Sequence, residues 1–230
     1  MNQISQSSLL DFPIRSSLTS DHRRFAIGGE LAIRYQSDVA PFASLKDFGE
    51  PCFRALADCL PEGGYVILFT AQAVNPPPYL TLRLADKGIQ MLEAGRIPLP
   101  TDDERIVRLG EQDVPEMMEL AQLTKPGPFG PRTIELGTYL GIRENGRLVA
   151  MVGERMHFSP YIEISAVCVH PDCRGRGYAK ALIPNLVGEC REKGAFPMLH
   201  VFAQNRAAIK LYERLGFGIR ETFHVTVLSR

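Results

Sequence analysis

Residues 161–180 constrain this chain more than any others. Tyr161 to Val169 is an uninterrupted strand-like run, and His170-Pro171-Asp172 ends it. Arg174-Gly175-Arg176-Gly177 then leads into a helix whose apolar positions Ala179, Leu182, Ile183, Leu186 and Cys190 share one face. A strand that delivers the chain to a glycine turn and a helix leaves the first helical amides without partners. Those amides and the helix dipole favour an anion, and glycine lets a phosphate reach backbone that a Cβ would obstruct. Arg174 and Arg176 add positive charge at the rim. Lys180 stands where the third glycine of a G-x-G-x-x-G dinucleotide fingerprint belongs, and no Gly-Lys-Ser/Thr loop occurs. A glycine-rich turn with solvent-facing arginines is the simpler alternative.

Composition narrows the partners. The 26 basic and 26 acidic residues cancel, so the strong positive field of a nucleic-acid binder is missing. The balance is uneven along the chain. Residues 1–104 carry nine basic and thirteen acidic side chains, and residues 105–230 carry seventeen and thirteen. A mildly basic second half suits a small anionic ligand better than a polyanion. No apolar run approaches the roughly 18 residues of a membrane span. The opening MNQISQSSLLDF lacks a basic start and an apolar leader core, so no membrane partner and a cytoplasmic location are expected. The five cysteines form no C-x-x-C pair, which points to reduced thiols and no metal site.

Two units are expected, residues 1–104 and 105–230, joined by a linker over Arg96–Asp103 that contains Pro98 and Pro100. In the first unit, Phe42 to Leu60 reads as two short helices interrupted by Pro51. Tyr65–Phe69, Tyr79–Leu84 and Gly88–Leu92 read as strands. In the second, Ile106–Leu109 is a short strand, and Asp113 is placed to cap a helix over Val114–Leu123 with Glu116 three residues on. Asn145-Gly146 marks a type I′ hairpin between Tyr139–Arg143 and Leu148–Arg155. Met198–Phe202 is a strand, Asn205–Leu215 a helix closed by Gly216, and Ile219 and Phe223–Leu228 supply the last strands. Pro184 lies inside the helix that follows the glycine turn.

The segment Arg174-Gly175-Arg176-Gly177-Tyr178-Ala179 resembles the R-x-x-G-x-G/A signature of the GNAT superfamily of N-acetyltransferases, with Arg174, Gly177 and Ala179 at the signature positions. The later stretch Asn205 to Phe217 resembles the same superfamily's second motif, about thirty residues on and in the right order. The resemblance covers about residues 105–230. It implies an α/β fold: a mixed, mostly antiparallel sheet flanked by helices, preceded here by a smaller α/β unit that is either a degenerate copy or a cap. It also implies acetyl-CoA as cosubstrate, with its pyrophosphate on the amides of Arg174, Gly175, Arg176, Gly177, Tyr178 and Ala179. The strand Ile162–Val169, with Val167 and Val169, then lies along the pantetheine. Asn205 matches the cofactor-contacting asparagine, and Tyr212 the tyrosine that protonates the departing thiolate.

Acetyl transfer to an amine needs a neutral amine, a polarised carbonyl and a thiolate able to leave. Tyr212 can give its proton to sulfur. Glu163 is a carboxylate in an apolar strand, expensive to bury unpaired, and is the candidate base or ammonium contact. Period-2 alternation puts it on one face with Ser165 and Val167, opposite Ile162, Ile164 and Ala166. A surface or salt-bridged glutamate is the competing reading. Glu135, after the Gly/Pro loop 125–131, is a candidate acceptor contact. His170 reads as a turn residue, and Cys168 as core. The expected activity is direct acetyl transfer from acetyl-CoA to a primary amine of a small molecule or amino group, with homodimerisation left open. The alternative is a non-enzymatic CoA- or acyl-CoA-binding regulatory module, which has no need of the Tyr212 hydroxyl.

Overall fold

The computed structural model describes residues 6–230, and side chains from residue 9 on. Two short helices, α1 (Gln6–Asp11) and α2 (Pro13–Thr19), open it. Strands β1 (Ala26–Gly28), β2 (Ala32–Tyr35) and β3 (Ala43–Leu45) form a small antiparallel sheet. Helix α3 (Glu50–Cys59) follows, then β4 (Tyr65–Thr70) and β5 (Thr81–Glu93). The second half contributes β6 (Ile106–Arg108), α4 (Val114–Thr124), β7 (Tyr139–Glu144), β8 (Arg147–Phe158) and β9 (Tyr161–Val169). It ends with α5 (Tyr178–Glu192), β10 (Phe196–Phe202), α6 (Arg206–Arg214) and β11 (Phe217–Ser229).

One eight-stranded sheet runs in the order β4-β11-β5-β10-β9-β8-β7-β6. Among the described residues its only parallel neighbours are β9 and β10, so the expected mixed, mostly antiparallel sheet flanked by helices is observed. The sheet crosses the boundary drawn at residue 104. β5 lies between β10 and β11, and β4 pairs with β11. The stretch expected as a linker, residues 96–103, has no regular secondary structure and is mostly exposed, but it is held at its start. The N–H groups of Ala94 and Gly95 both donate to the carbonyl of Gly216 at 2.9 Å, and Ile97 is buried.

Several elements differ from the sequence reading, each for a local reason. Phe42–Leu60 is strand β3 plus one helix, because Pro51 sits in the first turn of α3, where its missing N–H costs nothing. Tyr79–Leu92 is mostly one long strand, held on both sides by β11 and β10. The Asp113 carboxylate makes no cap bond to α4. It accepts the Gly110 N–H at 2.8 Å and pairs with Arg143 at 2.5 Å. The hairpin is as expected: Asn145 and Gly146 have φ 51° and 82°, the positive values a type I′ turn requires. Pro184 is accommodated inside a continuous α5.

The sheet has two covered faces. On one, α5 and α6 place Leu182, Leu186, Ile209 and Tyr212 against Ile162, Ile164, Met91 and Leu199. On the other, the N-terminal elements place Leu10, Ile14, Tyr35 and Phe42 against Met156, Met198, Phe223 and Val225. Among the described residues no helix is long and apolar enough to cross a membrane.

Candidate active site

The register between β9 and β10 creates the site. These parallel strands pair only at Phe196–Tyr161, Pro197–Ile162 and Met198–Glu163, although β9 continues to Val169 and β10 to Phe202. Beyond Glu163 they part, which frees facing backbone groups to bond a ligand instead of the ladder. A bulge bends β9 in the same place. Met151 pairs with Cys168 and Gly153 with Ser165, so Ala166 and Val167 both oppose Val152. Ala166 has φ 49°, a left-handed conformation uncommon for a residue with a Cβ.

The bulge overturns the simple alternation expected along this strand. Val167 and Val169 pack on the α5 face with Ile162 and Ile164, whereas Ala166 and Cys168 pack with α4. A residue added at the bulge shifts every later side chain to the opposite face.

The parted strands open into a cavity of about 340 Å³. Val167, Val169, Arg174, Ala179, Asn205 and Tyr212 line it, so the structure gathers these six expected residues around one space. Gly175, Arg176, Gly177 and Tyr178 form the turn beside Arg174. Gly175 and Gly177 have φ 77° and 82°, which glycine adopts without a steric cost. The first backbone bond of α5 runs from Ala181 N–H to Gly177 O at 3.1 Å. The amides of Tyr178, Ala179 and Lys180 therefore have no acceptor within the helix. The side chains of Arg176 and Tyr178 brace this turn. Arg176 Nη1 donates to both Glu144 oxygens at 2.9 and 2.8 Å, and the Tyr178 hydroxyl also meets Glu144.

Asn205 caps α6, its Oδ1 accepting the Ala208 N–H at 3.2 Å. Tyr212 is buried with its ring against Phe217. Among the described residues no group holds its hydroxyl. Burial, reinforced by the nearby Cys168, pushes the Tyr212 phenol up to about 12, so it is a protonated donor at neutral pH. Cys168 itself is buried and its thiol is pushed up to about 12, mainly by burial. His170 is a turn residue as expected: its Nδ1 accepts the Asp172 N–H at 3.3 Å.

Glu163 and Glu135 do not line the cavity. Glu163 is fully buried. Arg155 Nε donates to its Oε2 at 2.9 Å, Arg155 Nη2 to its Oε1, and His200 Nδ1 lies 2.7 Å from Oε1. Burial alone would push this carboxyl up, but Arg155 and then His200 more than reverse it and hold it at about 2. Such a carboxylate is a weak base, occupied on both oxygens, and its place is beneath the site. Glu135 lies in the turn Thr133–Leu136, bound through both oxygens to Arg132 at 2.5 and 2.9 Å.

The end of the cavity beyond the bulge was not read from the sequence. Arg155 and His200 form its base, with Phe42, Phe69, Phe223 and Gly88 around them. Arg155 had a legible signal. It and Glu163 lie eight residues apart across a tight hairpin, close enough in register for an ion pair. They meet because a second bulge, at Arg155 and Met156, opposes Glu163. His200 and the phenylalanines come from strands whose neighbours no local pattern specifies.

Comparison with known proteins agrees with this geometry. The profile of the Acetyltransferase (GNAT) family matches residues 114–217. The [ribosomal protein bS18]-alanine N-acetyltransferase of Escherichia coli is 28% identical over 134 residues, covering 54% of this chain and 90% of that protein. The mycothiol acetyltransferase of Thermomonospora curvata is 35% identical over 82 residues, but these span only 27% of that protein and 35% of this chain. A crystal structure from Novosphingobium aromaticivorans, assigned to the GNAT acetyltransferases, aligns over 96% of this chain and 98% of its own, at 36% identity and a TM-score of 0.88. With a relative of that identity matched along nearly its whole length, the chain belongs to the GNAT family of acetyltransferases.

Proposed function

We propose that this acetyltransferase carries an acetyl group from acetyl-CoA to a primary amine, on a small molecule or at an amino group, by direct attack. The observation that carries the reading is the parting of β9 from β10 beside Tyr212, with an amide-rich helix start at one end of the opening. A pyrophosphate suits the amides of Arg174 to Ala179, and an extended pantetheine arm suits the freed strand edge at Val167 and Val169. In the transfer, the amine nitrogen bonds to the thioester carbon and the carbon–sulfur bond breaks. The sulfur takes the proton of the Tyr212 hydroxyl, and the amine gives up a proton to water, which restores the phenol. Freed backbone N–H groups of β9 are suited to hold the carbonyl oxygen as it gains charge.

Among the described residues no carboxylate lines the cavity, so in this reading the amine reacts after losing its proton to solvent rather than to Glu163. Residues 1–104 supply Phe42, Ile67, Phe69 and Gly88 to the cavity wall and so shape the acceptor side, with one CoA bound per chain. Mass-spectrometric measurement of acetyl-CoA turnover against amines, polyamines, amino acids and peptides tests the proposal. Acetylated product with stoichiometric free thiol supports it. Tight acetyl-CoA binding without transfer to any amine would replace it with a regulatory binding role.

A further inference from the structure

The acceptor end of the cavity has one polar feature that the transfer chemistry leaves unused. Arg155 is nine-tenths buried. Its Nε and Nη2 are committed to Glu163, and its guanidinium lies over the Phe42 ring, 4.7 Å from the centroid. Among the described residues no acceptor holds Nη1. That nitrogen points toward the loop after α4, where a Cβ on Gly127 would lie 3.8 Å from it. Gly127 and Arg155 both line the cavity.

His200 offers no competing acceptor. Its Nδ1 faces Glu163 at 2.7 Å and its Nε2 faces the Gln90 amide nitrogen at 3.0 Å. The Gln90 amide nitrogen also donates to the Leu10 carbonyl at 2.8 Å, and Gln90 Oε1 accepts from Arg220 at 2.9 Å. Every partner in this chain is satisfied when His200 donates from Nδ1 and accepts at Nε2. The Arg155–Glu163 pair is neutral as a whole, but its positive end faces the cavity and its negative end is sealed. Lys125 and Arg174 are the other charged residues on the wall, and no carboxylate is among them. A cationic acceptor group would therefore meet a guanidinium in an apolar enclosure, whereas an acceptor anion would complete the hydrogen bonding of a donor that opens onto the cavity.

We propose, resting on the acetyl-transfer reading above, that Arg155 Nη1 binds a carboxylate on the acceptor, and that the acceptor is an amine with a carboxylate and an apolar or aromatic body, such as a free hydrophobic amino acid. Phe42, Phe69 and Phe223 would receive the body, since their rings already surround this end of the cavity. The three functions divide the space: sulfur and acetyl beside Tyr212, amine at the bulge, carboxylate at Arg155. Lys125, exposed on the loop, stands at the rim and has no part in this contact.

Equilibrium binding to the CoA-loaded protein tests the assignment without relying on turnover. The probes are N-acetyl-L-phenylalanine and its primary amide, measured by calorimetry. The expected result is at least tenfold tighter binding of the acid, and loss of that preference in Arg155→Lys, whose single ammonium stays with Glu163 and lacks the second nitrogen. Lys125→Ala should keep the preference. Equal affinities, tighter binding of the amide, or no binding of either probe would overturn the proposal. So would a preference lost in Lys125→Ala, which would put the anion at the rim. The parent protein's preference decides the matter if Arg155→Lys does not fold. Turnover of L-phenylalanine against L-phenylalaninamide is measured alongside. The amide has the less basic amine and gains on intrinsic reactivity at neutral pH, so a preference for the acid runs against that gradient. Turnover of the amide or of polyamines in preference to the acid would sink this inference while leaving acetyl transfer intact. Absence of any transfer, with the acid still bound tighter, would remove the catalytic reading alone.

Discussion

His200 Nδ1 lies 2.7 Å from Glu163 Oε1, next to the last rung at which β9 and β10 are still paired, Glu163 with Met198. The contact ties the two strands together just before they part, and Arg155 holds the other side of the same carboxylate. Glu163 therefore anchors the fork of the cleft. A carboxylate there fixes two donors from neighbouring strands, and the geometry of the opening depends on it.

Stability should accordingly depend on Glu163 and on acid. Its carboxyl titrates near 2 in the folded chain because the gain from Arg155 and His200 exceeds the burial penalty. A depressed folded value contributes stability that is fully present above the ordinary value of about 4.3 and is lost as pH falls toward about 2. Glu154 adds to the same window. Its burial penalty is outweighed by His157, Lys193 and the Thr138 N–H, and it too is held at about 2. Glu163→Gln leaves Arg155 buried without a counter-charge, which should cost about 3–5 kcal/mol. It should also flatten the loss of stability between pH 5 and 2. Urea unfolding across that range checks both, and a variant as stable as the parent at pH 7 would refute the anchoring role.

The anion-binding turn should respond to Gly177→Val. At φ 82° a β-branched residue is strained by about 1–2 kcal/mol, yet a Cβ there would meet nothing within 4 Å. The chain should fold with only a modestly lowered melting temperature. CoA affinity should fall tenfold or more, since the following amides must keep their direction to bind phosphate. Calorimetric titration of a folded variant with unchanged affinity would remove the pyrophosphate from this turn.

Much of this arrangement could be read in advance, and the misses share a cause. The strand over 161–169, the glycine turn and the helix after it depend on contacts local in sequence, and all three are where periodicity puts them. Tyr212 and Asn205 reach the cavity because helix spacing and a cap fix them. Glu163 was legible as an unusual strand carboxylate but not as an anchor, since His200 comes from a parallel neighbour 37 residues away. The bulge at Ala166 inverted the faces of Val167 and Ala166 without any glycine or proline in β9 itself to announce it. The integration of β4 and β5 into the large sheet was hidden for the same reason. Their partners lie in β10 and β11, more than a hundred residues on, and strand pairing at that range leaves no local trace.

The acceptor end should be sensitive to Gly88→Ala. Gly88 pairs with Phe223 across β5 and β11, and a Cβ there would overlap the Phe223 ring. That ring packs 4.7 Å from Phe69 and 4.9 Å from His200, centroid to centroid, so relief of the overlap moves it within the cavity. Overpacking of this kind costs about 1–3 kcal/mol. The apparent KM for the amine should rise while that for acetyl-CoA stays nearly constant. Equal changes in both would mean that Phe223 does not border the acceptor.

Tyr212→Phe separates proton donation from packing. The ring, its burial and its contact with Phe217 are retained, so CoA affinity should be nearly unchanged. The proton donor to sulfur is lost, and general acid catalysis is typically worth about 10²- to 10⁴-fold, so the transfer step should slow by that order. Because burial pushes the phenol up to about 12, it stays protonated through the neutral range and gives no limb to the pH profile there. The rise in rate with pH should follow deprotonation of the acceptor amine and persist in the variant, displaced downward. Steady-state turnover can conceal the effect when product leaves slowly, so single-turnover acetylation is the measurement that decides. A Tyr212→Phe protein that acetylates as fast as the parent in a single turnover would mean that the thiolate takes its proton from water, and that Tyr212 serves only to close the cavity wall.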